Sequence, residues 1–214
     1  MHISSFLRME WFRDTYLGGA HLSGKIRILD VGSYNVNGSY KGLFSEERFS
    51  YIGLDMEEGP NVDICPKNPY SWEEIPSESF DVVISGQAFE HMEFFWLCMA
   101  EIARVVKKGG MVCIVAPRGF KRHRYPVDCY RFEADGLVGL AKYVRLKPLH
   151  ASTNLAPVGA PAQWYSAGQE DSLLIAVKPP NWTGLVDISS YTCVPPDLDS
   201  LATGMVPQEQ QKKK

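Results

Sequence analysis

The chain has 214 residues, of which 45% are hydrophobic and 22% are charged, and these proportions are ordinary for a globular protein. Domains commonly hold about 100–200 residues, so the length predicts one domain with extensions. Lys and Arg number 22 against 25 Asp and Glu, and the formal net charge of −3 gives no overall positive field for a nucleic-acid backbone. We therefore expect no nucleic-acid partner.

Two further features bear on the compartment. The five cysteines are scattered without a C-x-x-C pair, which argues against a disulfide framework and a zinc knuckle. No apolar run approaches the roughly 20 residues of a membrane span, and charged residues between positions 8 and 14 interrupt any signal-peptide core. These patterns predict a cytoplasmic protein that has no membrane partner.

Strands and helices alternate along the chain. Apolar residues three to four positions apart predict a helix over residues 5–17. Runs rich in Ile, Leu and Val predict buried strands. The helix at 92–106 is expected to end at the two lysines and two glycines that follow it, Lys107 to Gly110. In chain order we predict strands at 25–31, 49–55, 61–64 and 80–85, a helix at 92–106, a strand at 111–117, a helix at 133–144, and strands at 145–153 and 172–179.

This alternation predicts an α/β fold with a mostly parallel sheet and helices on both faces. We divide the chain into an N-terminal helical extension (1–24), a ligand-binding domain (25–179) and an irregular C-terminal tail (180–214). In such sheets ligands bind beyond the carboxyl ends of the strands, where the strand order reverses. The residues that directly follow each strand are therefore the first candidates for a site.

The loop after the first strand and the end of the second strand favour an adenosine-type ligand. Gly32 permits a sharp turn, and Gly38 allows a close approach of a ligand. Asp55 follows Gly32 by 23 positions, where a carboxylate can accept hydrogen bonds from both hydroxyls of a ribose. When each feature is considered alone, an alternative stays open: the Gly32–Gly38 segment is then a plain strand-to-loop turn, and Asp55 is a solvated or capping aspartate.

The same loop distinguishes between two ligands that carry a ribose. The pyrophosphate fingerprint G-x-G-x-x-G of NAD sites is absent, since Tyr34 and Asn37 occupy its second and third glycine positions. Asp30, just before the turn, instead suits a cationic amine, although a buried aspartate can also simply pin a loop. The pattern favours a ligand with an amino-acid end, such as S-adenosylmethionine (SAM), over NAD.

Five segments in order resemble the class I SAM-dependent methyltransferases, and in particular the type-11 methyltransferase domain. The first glycine motif of that family, G-x-G-x-G, is reduced here to Gly32 and Gly38, and the resemblance covers roughly residues 25–178. The segments are ILDVGSYNVNGS (28–39), YIGLDMEEGPNVDI (51–64), FDVVISGQAFEHM (80–92), ARVVKKGGMVCIVAP (103–117) and HRYPVDCYRFEADGL (123–137).

The resemblance implies a Rossmann-like sheet with an antiparallel last strand and SAM as the cofactor. It places Asp30 and Gly32 near the methionine end, Asp55 on the ribose and Met56 on the adenine face. The full set of implied cofactor contacts is Asp30, Gly32, Ser33, Gly38, Asp55, Met56, Asn68, Ser85, Gly86 and Gln87.

Two histidines are candidates for the proton transfer that an oxygen or nitrogen acceptor requires. His91 follows the fourth predicted strand and His123 lies in the loop after the fifth, with Glu90 and Asp128 as carboxylates that could orient them. We take His91, His123 and Asp128 as the candidate catalytic residues. A helix-start His91 bonded to backbone and an exposed His123 are the structural alternatives.

These patterns together predict a SAM-dependent methyltransferase that acts on a small molecule, at oxygen. A catalytically degenerate partner subunit and an NAD-dependent oxidoreductase are the rival functions.

The N-terminal helix is either a lid on the cofactor pocket or a packing element. A basic cluster after the fifth strand suits an anionic or sugar-like acceptor, or is a solvated loop; it comprises Arg118, Lys121, Arg122, His123 and Arg124.

Overall fold

The computed structural model describes residues 2–18, 24–156, 160–165, 170–192 and 194–202. The α-helices are α1 (Ile3–Phe12), α2 (Phe95–Val105), α3 (Ala134–Tyr143) and α4 (Leu198–Ala202), and a π-helical turn (Arg13–Leu17) continues α1. The strands are β1 (Ile26–Val31), β2 (Phe49–Leu54), β3 (Phe80–Gly86), β4 (Val106–Gly119), β5 (Lys147–Thr153) and β6 (Glu170–Val177). Short 3-10 helices span Lys41–Phe44, Phe89–His91, Ala162–Trp164 and Ile188–Ser190.

The six strands form one sheet in the order β2-β1-β3-β4-β6-β5. The four strands from β2 to β4 are parallel, whereas β6 runs antiparallel to both of its neighbours. The predicted α/β sheet with an antiparallel last strand is therefore confirmed. The chain leaves β1 toward β2 on one side and returns to β3 on the other, so the strand order reverses between β1 and β3.

Both faces of the central strands are buried, which explains their uninterrupted apolar sequences. Successive side chains of a strand point to opposite faces. Val83 packs with Ile102 of α2 and Leu137 of α3 in one core cluster, and Val82 packs with Met9 of α1 in the other. The helices that cover the two faces thus come from different parts of the chain.

Two predicted elements differ from the structure. Residues 61–64 form no strand; the Asp63 carboxylate and backbone hydrogen-bond to Gly53, so this segment turns against the end of β2 with a single bridge at Ile64. The second helix ends at Val105, two residues before the lysines expected to close it, because the chain pairs with β3 from Val106 onward.

Residues 32–79, all of which the structure describes, contain no α-helix. The connections from β1 to β2 and from β2 to β3 are therefore irregular apart from one 3-10 turn. The predicted tail holds one 3-10 turn and the five-residue α4, while Cys193 and residues 203–214 lie outside the described part. Within the described ranges, the helices are all too short or too polar to span a membrane.

Candidate functional site

A cavity of about 1120 Å³ opens at the carboxyl ends of β1, β2 and β3, next to the reversal in strand order. Ligands bind at this position in open α/β sheets. Pockets for small molecules commonly measure about 300–1,000 Å³, so this cavity is large enough for a small-molecule ligand. The residues in its wall that the sequence predicted are Asp30, Gly32, Ser33, Gly38, Asp55, Met56, Gly86, Gln87, His91 and His123.

Asp30 is the last but one residue of β1, lies in the cavity wall and is buried. Tyr51 donates a hydrogen bond to its Oδ2, whereas its Oδ1 has no hydrogen-bond partner among the described residues. Burial raises the pKa of Asp30 to about 7, against the effect of the Tyr51 hydrogen bond and together with the nearby charge of Asp55. A cationic ligand group at Oδ1 would complete the hydrogen bonding of this carboxyl and favour its charged form.

Asp55 directly follows β2 and is held in place by backbone donors. Its Oδ2 accepts a hydrogen bond from the Tyr34 N–H at 2.9 Å, and its Oδ1 accepts one from the Met56 N–H at 2.7 Å. Each carboxylate oxygen has a further lone pair. Asp55 is half-buried in the cavity wall, so those lone pairs are available to two neighbouring hydroxyl groups of a ligand.

The turns after β1 and β3 touch each other beneath the cavity. Gly32 has a φ of +82°, and a Cβ there would lie 2.3 Å from the Cβ of Ala88. Gln87 has a φ of +56°, which is unusual for a residue other than glycine. Its side chain accounts for this conformation, since Nε2 donates to Asp171 Oδ1 at 3.0 Å. The two turns therefore form one rigid floor.

The N-terminal helix both packs on the sheet and reaches the cavity. Asp171 of β6 is buried and accepts a hydrogen bond from Ser4 Oγ at 2.6 Å, and Arg8 lies 3.9 Å away as a buried charge partner. His2 and Ile3, at the start of the helix, line the cavity. The helix therefore packs on the sheet, and its first residues form part of the cavity wall.

His91 lies in the cavity wall, whereas Glu90, the residue before it, is buried and is not part of the wall. The Glu90 side chain is fully buried, and burial raises the pKa of its carboxyl to about 8. His91 Nδ1 lies 2.5 Å from the Val127 carbonyl oxygen, so this nitrogen carries the proton in the neutral ring and Nε2 has a free lone pair. Burial also lowers the pKa of His91, which favours that neutral ring.

His123 faces His91 across the cavity mouth, with ring centroids 4.9 Å apart. Its backbone N–H donates to Asp128 Oδ2 at 2.8 Å, and Arg131 donates two hydrogen bonds to the Asp128 carboxylate. The hydrogen bonds from Arg131 hold the pKa of Asp128 well below its usual range. Asp128 therefore fixes the segment that carries His123 and does not itself face the cavity.

The structure places three predicted site residues away from the cavity wall. Ser85 Oγ donates to the Val31 carbonyl at 2.7 Å, so this hydroxyl joins β3 to β1 within the sheet. Asn68 Oδ1 accepts from the Tyr70 N–H at 2.9 Å and is committed to a local turn. The Asp128 carboxylate accepts hydrogen bonds from Arg131. These three side chains lie outside the cavity wall, and their contact with a ligand stays a prediction. Asp128 Oδ2 lies 3.8 Å from His123 Nδ1, which fits the orienting role expected of this carboxylate.

Other residues in the wall escaped the sequence interpretation. They come from irregular segments and from the ends of elements, and no spacing rule singles them out. The sequence signal that could have indicated these wall residues is an aromatic side chain just before a strand or just after a proline. Such side chains are equally typical of the hydrophobic core, so the signal does not distinguish the two. These wall residues include His2, Tyr34, Tyr40, Tyr70, Trp72, Met92 and Phe120.

The basic cluster is only partly free to meet a ligand. Arg118 forms ion pairs with Glu133 and Glu170, so its charge is already balanced. Arg124, by contrast, lies in the cavity wall near the two histidines. The positive charge that an anionic acceptor would meet is therefore that of Arg124.

The family described as "Methyltransferase domain" matches residues 37–114, which run from the loop after β1 into β4. Among solved structures, the 1,6-didemethyltoxoflavin-N1-methyltransferase of Burkholderia thailandensis, with its substrate and S-adenosylhomocysteine bound, aligns at 17% identity and a TM-score of 0.59. That alignment covers 83% of this chain and 80% of the other. The fold is that of the class I SAM-dependent methyltransferases. The predicted resemblance is confirmed.

Two further structures show how widely this methyltransferase fold is used. Phosphoethanolamine N-methyltransferase 2 of Haemonchus contortus, in complex with SAM, aligns at 16% identity and a TM-score of 0.54, over 80% of this chain and 52% of the other. The [4+2]-cyclase SpnF aligns at 17% identity and a TM-score of 0.59, over 81% of this chain and 80% of the other. No curated protein matches the sequence. Because a cyclase shares the methyltransferase fold, the reaction must be argued from the site.

Proposed function

We propose that this protein binds SAM in the cavity and transfers a methyl group to an oxygen atom of a small-molecule acceptor. The observation that carries this proposal is the pairing of two carboxyl groups in one cavity wall. Asp30 offers a buried oxygen without a partner, and Asp55 offers a carboxylate pre-oriented by two backbone N–H groups. The first suits an ammonium group and the second suits a pair of ribose hydroxyls.

The residues around these two carboxyl groups fit the rest of the cofactor. Met56 is exposed in the wall directly after Asp55 and can pack on the adenine ring. Gly32 and Gly86 lie in the cavity wall near Asp30, where their backbones pack closely against Ala88 and the Tyr40 ring. We assign Asp30, Gly32, Ser33, Gly38, Asp55, Met56, Gly86 and Gln87 to the cofactor.

The opposite end of the cavity is assigned to the acceptor. When bound, SAM supplies a methyl group on a sulfonium, whose thioether leaving group needs no assistance. The chain mainly has to hold the acceptor in line and promote the loss of its hydroxyl proton. His91 and His123 lie where they can do so, at the mouth of the cavity.

The acceptor proposed here is a small molecule of moderate size with a negative charge. Arg124 provides the opposite charge in the wall, and the rings of Phe120 and Tyr125 provide apolar surface beside it. Carboxylated aromatic compounds and sugar phosphates combine a hydroxyl with such a charge. We further propose a cytoplasmic protein in which residues 25–179 form the methyltransferase domain.

Turnover with labelled SAM tests this function. The protein is incubated with methyl-labelled SAM and a panel of hydroxylated carboxylates and phosphates, and products are detected by mass spectrometry. We expect a labelled methyl ether or ester whose formation is lost in His91→Ala and kept in Glu93→Gln, an exposed carboxylate two residues away. Binding of S-adenosylhomocysteine without turnover of any acceptor would instead indicate a non-catalytic partner subunit.

A further inference from the structure

A buried carboxylate lies close to the two imidazoles that form part of the cavity wall. Glu90, His91 and His123 each offer one ligand atom, and these three atoms lie within 4.8 Å of one another. Within the ranges that the structure describes, no other group of three Cys, His, Asp or Glu side chains is gathered in this way. Two imidazoles with one carboxylate make up a common ligand set for divalent transition-metal ions.

The Glu90 carboxylate supplies a second, independent observation. Its side chain is fully buried, and neither Oε1 nor Oε2 has a hydrogen-bond partner among the described residues. Buried polar groups are nearly always hydrogen-bonded, because an unpaired one is costly. Oε1 points toward the cluster, 3.6 Å from His91 Nε2. A cation between these two atoms would provide the missing partner.

The orientation of His91 also fits metal ligation. A metal-bound histidine usually donates its other ring N–H to a carbonyl or carboxylate, which fixes the tautomer. His91 Nδ1 has such a partner in the Val127 carbonyl oxygen, and Nε2 is directed toward Glu90. The ring is thus held with its lone pair directed into the cluster before any ion binds.

We propose that Glu90, His91 Nε2 and His123 bind a divalent transition-metal ion whose open coordination positions take the acceptor oxygen. Ligand atoms about 2.1 Å from such an ion lie roughly 3.0–3.5 Å apart, so the Glu90–His91 pair is nearly in place. His123 must move closer, and it lies on an irregular segment, half-buried at the cavity mouth. The ligand set favours Zn²⁺ or Fe²⁺ over Mg²⁺, which prefers oxygen ligands.

The catalytic use of this ion rests on the proposed function. An acceptor hydroxyl that binds the ion has a lowered pKa and gives its proton to water. Its oxygen then forms a bond to the methyl carbon as the carbon–sulfur bond breaks, and the electron pair of that bond stays on sulfur. Both histidines then act as ligands of the ion, and neither has a separate role as a base.

Cobalt is the probe for the site, because Co²⁺ has visible absorption bands that report nitrogen, oxygen or sulfur ligands. We expect one Co²⁺ per chain, bands without sulfur charge transfer, displacement by ZnCl₂ and no displacement by millimolar MgCl₂. Glu90→Gln and His123→Ala should each weaken Co²⁺ binding at least about tenfold. Glu93→Gln and Cys129→Ser are the matched controls, since both side chains are exposed nearby.

The variants are chosen so that unfolding cannot account for the result. Glu90→Gln keeps the shape of a side chain that accepts no hydrogen bond from the described residues, and His123 is half-buried, so both variants should fold and bind S-adenosylhomocysteine as the wild type does. Unchanged Co²⁺ affinity in both variants, or no binding to the wild type, overturns the site. Co²⁺ binding without S-adenosylhomocysteine binding supports the site and contradicts the proposed function instead.

Discussion

The backbone N–H of Tyr34 donates a hydrogen bond of 2.9 Å to Asp55 Oδ2, and this bond joins the loop after β1 to the end of β2. Tyr34 occupies a position where dinucleotide sites have glycine. The loop therefore presents a backbone N–H to the protein's own carboxylate and not to a ligand phosphate. The same bond orients Asp55, so the carboxylate that we propose to bind the ribose is held in place although the motif has fewer glycines.

Replacement of Asp55 tests the ribose contact. Asp55→Ala should weaken S-adenosylhomocysteine binding about 10- to 100-fold, because hydrogen bonds to a charged group contribute about 1.5–3 kcal/mol. Calorimetric titration measures the affinity. Glu58→Ala removes an exposed carboxylate three residues further on and should leave the affinity unchanged. Equal losses in the two variants would indicate a general charge effect and contradict a specific contact.

The carboxyl of Asp30 predicts a pH dependence of binding. Burial raises its pKa to about 7, so the group is largely protonated below that pH and must ionise to hold an ammonium. Affinity for S-adenosylhomocysteine should rise about tenfold per pH unit up to about pH 7 and then level off. Asp30→Asn should bind more weakly with no such slope. A flat wild-type profile between pH 5.5 and 8 would contradict this role.

The raised pKa of Asp30 also predicts that the stability of the ligand-free protein falls as the pH rises, whereas the affinity for S-adenosylhomocysteine increases. The pKa of Asp30 is higher in the folded protein than its usual value of 3.8, so folding favours the protonated form. The contribution of Asp30 to stability is present in full below about pH 4 and is lost as the pH rises through about 7. Urea unfolding of the ligand-free protein should show this loss in the wild type and not in Asp30→Asn. A loss that persists in the variant would have another source.

Gly32 is expected to tolerate no side chain. Gly32→Ala places a Cβ 2.3 Å from the Cβ of Ala88 on a backbone with positive φ, and should cost about 1–3 kcal/mol in the free energy of unfolding. Gly136→Ala, in α3 with open space around it, should instead stabilise by about 0.5–1 kcal/mol. Chemical denaturation compares the two. Similar effects of both changes would show that the floor of the cavity is not tightly packed.

Asp171 should be essential for holding α1. Asp171→Ala leaves the buried Arg8 without its charge partner and removes acceptors from Ser4 and Gln87, so we expect a loss of about 3–5 kcal/mol. Thermal unfolding followed by tryptophan fluorescence measures it. Asp14→Asn breaks an exposed ion pair with Arg13 and should change stability by about 0.5 kcal/mol or less. A small effect at Asp171 would contradict its role in fixing the helix.

Much of the fold follows from the sequence because β1, β3 and β4 are buried on both faces and read as continuous apolar runs. The apolar pattern predicts a strand wrongly where a side chain takes the hydrogen bond that a neighbouring strand would make. Residues 61–64 have the composition of a short strand, but the Asp63 carboxylate takes the Gly53 N–H that a paired strand would use. The start of β4 at Val106 is set by its pairing with Phe80, which no local signal encodes.

The candidate site was predictable where its residues lie at or directly after the end of a strand, as Asp30, Gly32 and Asp55 do. The topology then brings these positions to one edge of the sheet. Ser85 was misplaced because successive residues at a strand end point to opposite sides, and spacing alone does not show which side faces the cavity. The buried Asp171 has no motif, since its partners lie more than 80 residues away in sequence.

The central claim is that the cavity binds SAM, and one titration tests it most directly. S-adenosylhomocysteine and NADH are each titrated calorimetrically into the wild-type protein at pH 7.5. We predict micromolar binding of S-adenosylhomocysteine with one site per chain, and no heat of binding with NADH. Binding of NADH, or no binding of S-adenosylhomocysteine at millimolar concentration, would contradict the account.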